Sequence, residues 1–160
     1  MTPLEPLLSL LAQTERERDA VQAEAQRADG AHRQAQQQHE QLLGYRQDYE
    51  TRWGQQFRVQ ATMDVLHCYQ GFTLRLSQAV EQQQRTVELA AQRCERERVR
   101  LGEHEIRVAS VRKLIERRRA EIQRLQDRRD QKQTDEFASR VAWSRLQARA
   151  GAARAMGTGA

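Results

Sequence analysis

The chain reads as all-α: two long helices in an antiparallel coiled-coil hairpin, the second helix protruding past the end of the first. Three observations predict this. Apolar residues recur at three- and four-residue steps along most of the sequence, helix formers (Ala, Gln, Glu, Arg, Leu) dominate without strand-like alternation, and the two prolines both lie within the first six residues. The 160 residues are 38% apolar and 31% charged, with a mean hydropathy of −0.92. That leaves too few large apolar side chains to fill a three-dimensional core, so they must be buried along a line instead.

The first helix is expected over residues 4–53. Pro3 and Pro6 fall in or before its first turn, where a missing N–H costs little. Its heptad positions a are Leu4, Leu11, Arg18, Ala25, His32, His39, Arg46 and Trp53. Its d positions, the more apolar row, are Leu7, Thr14, Val21, Ala28, Ala35, Leu42 and Tyr49.

Residues 54–63 read as a connector. Gly54 suits a helix C-terminal cap, and Thr62 or Asp64 suits the start of the next helix. A single continuous helix with a skip residue, pairing in parallel as a dimer, is the alternative. In the hairpin, residues whose numbers sum to about 118 face one another, so that Tyr49 meets Tyr69 and Leu42 meets Leu76. The flanking g positions then pair Tyr45 with Phe72 and Gln38 with Ala79. A seam normally carries charges at g, which is half in water, so the aromatics there exceed what the seam needs.

The second helix is expected over 64–145. Its a row runs Leu66, Thr73, Val80, Val87, Cys94, Leu101, Val108, Ile115 and Ile122, and its d row includes Tyr69, Leu76, Gln83, Ala90, Glu97, His104 and Val111. From about residue 116 it has no first-helix partner and forms a basic overhang. Residues 1–115 carry 16 basic and 16 acidic side chains, whereas 116–154 carry 11 and six, so the net charge of +5 sits on the overhang. Residues 146–160, mostly Gly, Ala and Thr beyond Ala150, read as a disordered tail.

A basic helix invites a nucleic-acid reading. Against it, Glu121, Asp127, Asp130, Asp135 and Glu136 interleave with the arginines and would repel a phosphate backbone. Catalysis has little to build on: His32, His39, His67 and His104 include no i, i+4 pair to clamp a metal, and no phosphate-cradling glycine loop or nucleophile elbow occurs. No cofactor is expected. Cys68 and Cys94 lie too far apart on one helix to bridge, and Cys94 falls on the seam as a small core residue. Leu7–Ala12 is far shorter than a membrane span and has no basic leader before it, so a soluble, cytoplasmic chain is expected.

The stretch Asp130-Gln131-Lys132-Gln133-Thr134-Asp135-Glu136-Phe137-Ala138-Ser139-Arg140 closely resembles the C-terminal signature of the FliJ family, soluble stalk proteins of the flagellar type III export apparatus. The Leu42, Tyr45, Tyr49 run and the Tyr69, Phe72, Leu76, Ala79 run are also similar to family positions. Gln83 stands where the family pattern leads one to expect histidine. The resemblance implies a non-enzymatic coupling component that is cytoplasmic and peripherally associated with the inner membrane at the flagellar base. Its implied partners are the hexameric flagellar export ATPase, the cytoplasmic domain of the membrane export gate, and export chaperones. It further implies a gate-binding flank of Gln38, Leu42, Tyr45, Tyr49, Tyr69, Phe72, Leu76 and Ala79, and an ATPase contact through Gln131, Asp135, Glu136, Phe137 and Arg140. A structural coiled-coil scaffold and a basic nucleic-acid-binding coiled coil are the competing readings.

Overall fold

The computed structural model describes residues 4–59 and 62–159. Two helices account for them, α1 (Glu5–Val59) and α2 (Met63–Gly157), with no strand among the described residues. None of the helices is long and apolar enough to cross a membrane. The chain divides into two units, Leu10–Ser110 and a second formed by Met1–Ser9 with Val111–Ala160.

In the Leu10–Ser110 unit, α1 and α2 pair antiparallel along the expected stripe. Val21, Ala28 and Ala35 of α1 and Val80, Cys94 and Val108 of α2 are buried, all at a or d positions. The remaining a and d positions of this unit are half-buried, apart from Leu66. Ala28 at 2% exposed and Ala35 at 5% contribute little volume, so burial there means close approach of the two backbones. Polar residues enter the stripe without being fully enclosed: no polar or charged side chain among the described residues is buried. Half-burial lets Arg18, His32 and His39 keep their tips near water while their stems cover the seam, whereas Glu97 turns one carboxylate oxygen inward, 3.7 Å from Arg100 Nη1.

Two helix ends differ from the sequence reading, those of α1 and of α2. Gly54 does not cap α1; the helix runs on to Val59. The extra turn carries Phe57, whose ring lies 5.7 Å from Trp53 and 5.2 Å from Tyr69, and this apolar contact offsets the roughly 1 kcal/mol that an interior glycine costs a helix. The fold-back therefore centres about residue 61 rather than about 59, and its innermost residues, 60 and 61, lie outside the described residues. Thr62 does cap α2, its hydroxyl accepting the Val65 N–H at 3.4 Å, with Asp64 in the first turn.

In the other unit, Val111 and Ile115 are buried and Leu4 and Leu7 half-buried. From residue 116 to 159 only Ile122 and Val141 are partly covered, and all other side chains are exposed. The expected disordered tail from 146 is instead helical through Gly157. Alanine, which lacks side-chain entropy to lose, makes up much of that stretch and extends the helix although it has nothing to bury.

Candidate functional site

Six of the eight aromatic residues lie between Tyr45 and Phe72, at the end of the Leu10–Ser110 unit where the helices meet. Helical spacing puts Tyr49, Trp53 and Phe57 on one face of α1 at successive i, i+4 steps, and Tyr69 and Phe72 present themselves from α2 at i, i+3. Their rings interlock. Tyr49 lies 4.1 Å from Phe72 and stacks on Tyr69 at 6.0 Å, while Tyr69 also meets Trp53 at 5.6 Å and Phe57 edge-on at 5.2 Å. The separations of 5.2–6.0 Å fall in the range that aromatic pairs favour, and the Tyr49–Phe72 pair is packed closer still.

Beside this cluster runs a groove of about 290 Å³ lined by Tyr45, Asp48, Tyr49, Arg52, Phe72 and Leu76. Its floor is apolar. Tyr45 is 67% exposed and Phe72 45%, so their faces are open to a partner, whereas Tyr49, Tyr69 and Leu76 are half-buried and shared with the seam. Asp48 and Arg52 stand one helical turn apart on one rim, yet neither takes part in an ion pair among the described residues.

The remaining flank residues are arranged differently. Leu42 and Ala79 are half-buried and outside the groove lining. Gln38 is exposed and accepts a hydrogen bond at 3.3 Å from Gln83 Nε2, which also donates to the Ala35 carbonyl at 2.9 Å. Gln83 thus ties the two helices together at the edge of the flank, an interaction the amide makes with both a side chain and a helix carbonyl.

Farther along the seam, Cys94 Sγ donates to Asp29 Oδ1 at 3.8 Å, and Arg33 Nη2 donates to Asp29 Oδ2. The Arg33 hydrogen bond and charge hold the Asp29 carboxyl below its usual value of 3.8, with smaller help from Cys94 and Arg98.

On the basic stretch of α2, Gln131, Asp135, Glu136, Phe137 and Arg140 are all exposed, Phe137 at 69%. Gln131 Nε2 donates to Asp135 Oδ1 at 3.0 Å, so these two share one face. Helical spacing puts Glu136, Phe137 and Arg140 on another. The five residues therefore ring the helix instead of forming one patch.

A family model described as "Flagellar FliJ protein" matches residues 3–147. The chain belongs to the FliJ family. The match takes in both helices, the aromatic end and the Gln131–Arg140 stretch, and FliJ membership makes this chain a component of the flagellar export apparatus. No curated protein and no solved structure matches it. Sequence reasoning about this FliJ chain missed Trp53 and Phe57 as members of the aromatic cluster, and Asp48 and Arg52 as its rim. The signal was present in the crowding of aromatics between Tyr45 and Phe72, but the seam register, which ended the first helix at Trp53, hid it.

Proposed function

We propose that this FliJ-family chain acts as a non-enzymatic stalk that enters the ring of the hexameric export ATPase and couples it to the cytoplasmic domain of the membrane export gate, with a part in chaperone cycling. The observation that carries this reading is the open apolar groove of Tyr45, Tyr49, Phe72 and Leu76 on a chain of that family. Exposed aromatics beside a concave apolar floor are what a partner's anchor residue requires. The overhang from about residue 116, with its excess of arginine and the exposed Phe137, is suited to the ATPase. We assign the gate to the flank of Gln38, Leu42, Tyr45, Tyr49, Tyr69, Phe72, Leu76 and Ala79, and the ATPase to Gln131, Asp135, Glu136, Phe137 and Arg140. The location that follows is cytoplasmic and peripheral to the inner membrane, through partners only.

The test is affinity for the purified gate cytoplasmic domain, read together with thermal stability. Tyr45→Ala is expected to lose at least about tenfold in affinity with stability unchanged, since a buried interface anchor commonly contributes about 2 kcal/mol or more. Unchanged affinity in Tyr45→Ala and Phe72→Ala alike places the gate contact elsewhere.

A further inference from the structure

The heptad stripe of α2 continues past the point where burial stops. Within the unit that holds Val111–Ala160, Val111 and Ile115 are buried, and the same three- and four-residue steps lead on through the exposed Arg118 to Ile122 and Leu125. Four polar positions follow, Arg129, Lys132, Glu136 and Ser139, and the stripe then resumes with Trp143 and Leu146. Leu125, Trp143 and Leu146 are 54%, 64% and 58% exposed. Two pairs of large apolar side chains kept in one seam register on either side of a polar middle, on a stretch this exposed, have the pattern of one half of a coiled coil.

The order of residues in the stripe identifies the other half. Turned end for end about residue 134, the stripe falls on itself: Ile122 on Leu146, Leu125 on Trp143, Arg129 on Ser139 and Lys132 on Glu136. Apolar layers meet at both ends, and Lys132 meets Glu136 twice in the middle. At the flanking positions Glu121, which already pairs with Arg118 at 3.0 Å within its helix, falls beside Arg149. Among the described residues Lys132 and Glu136 form no ion pair with any other side chain, so both are available. The pairing brings one like-charge meeting, Asp135 with its own copy at the axis, where Lys132 lies one turn away. A parallel pairing instead sets Lys132 on Lys132, Glu136 on Glu136 and Arg129 on Arg129, which the charges oppose.

We propose that residues 118–150 of α2 pair antiparallel with the same segment of a second copy of this chain, through Ile122, Leu125, Trp143 and Leu146 and the reciprocal Lys132–Glu136 contacts. The self-paired form covers Glu136 and therefore competes with any partner that uses that face.

Sedimentation equilibrium of the full chain under reducing conditions tests this, with circular dichroism confirming that each variant stays helical. The wild type is expected to show a monomer–dimer equilibrium. Lys132→Glu sets glutamate against Glu136 at two symmetric positions and is expected to weaken dimerisation at least about tenfold. Glu136→Lys is expected to do the same, and the double swap K132E/E136K to restore it. A wild type that stays monomeric up to about 1 mM, a dimer indifferent to the single reversals, or a double swap that fails to restore pairing would each overturn the proposal.

Discussion

The ring of Tyr49 on α1 lies 4.1 Å from that of Phe72 on α2, nearer than its 6.0 Å stack on Tyr69. This contact reports how the two helices are aligned. It agrees with the Gln38–Gln83 and Asp29–Cys94 hydrogen bonds in centring the fold-back about residue 61.

The alignment has a direct consequence for cross-linking. In a chain with Cys68 and Cys94 replaced by alanine, Gln38→Cys with Gln83→Cys is expected to cross-link within one chain at high dilution, because the side chains they replace already touch. Cross-links that form only between chains would establish the parallel dimer instead.

Trp53 and Phe57 hold the last turns of α1 against Tyr69, at 5.6 and 5.2 Å. Phe57→Ala is expected to destabilise the chain by about 1–3 kcal/mol, below the roughly 3–5 kcal/mol of a fully buried aromatic because this ring is half-exposed. Tyr45→Ala is expected to change stability by less than about 0.5 kcal/mol. Thermal or urea unfolding of both variants separates the residue that holds the helices together from the one that faces a partner; equal losses would show that Tyr45 is part of the packing.

Most of the seam was legible from the sequence, because the heptad period is a property of spacing alone. Val21, Ala28, Ala35, Val80, Cys94, Val108, Val111 and Ile115 are all buried where the register puts them. Helix ends were less so. Gly54 and the alanine-rich stretch after residue 146 carry local signals that tertiary contact in the first case, and plain helix propensity in the second, override. The groove was half legible: Tyr45 and Phe72 stood out as aromatics at g, but Asp48 and Arg52 look like ordinary surface charges until the groove is seen.

Gln83 is a further point the sequence misassigned in character. It marked a departure from an expected histidine, and in the fold it donates to the Ala35 carbonyl at 2.9 Å. Gln83→Ala is expected to cost about 1 kcal/mol by urea unfolding, the usual net value of such a bond. Gln38→Ala, which leaves the Ala35 contact in place, is expected to cost less; the reverse order would assign the tie to the side-chain pair.

Asp29 gives the pH dependence a definite sign. Its folded carboxyl is held below the usual 3.8, chiefly by the hydrogen bond from Arg33 and by that residue's charge. A depressed pKa means that its contribution is fully present above the unfolded value and is lost as pH falls through the folded one. Asp29→Asn is therefore expected to melt below wild type at neutral pH, with the difference shrinking as the solution is acidified below 3.8. A gap that is constant or widens on acidification would assign the loss to packing around Cys94 instead.

The proposed stalk has two separate contact surfaces, one at the aromatic end and one on the basic stretch of α2. Binding of the export ATPase and of the gate's cytoplasmic domain, each measured against two variants, tests this most directly. The chain carrying Tyr45→Ala and Phe72→Ala is expected to keep ATPase binding and lose at least about tenfold in gate affinity. The chain ended after Arg129 is expected to lose ATPase binding and stimulation while still binding the gate. If either variant loses both partners, or neither, the two surfaces do not divide the partners in this way and the coupling role is contradicted.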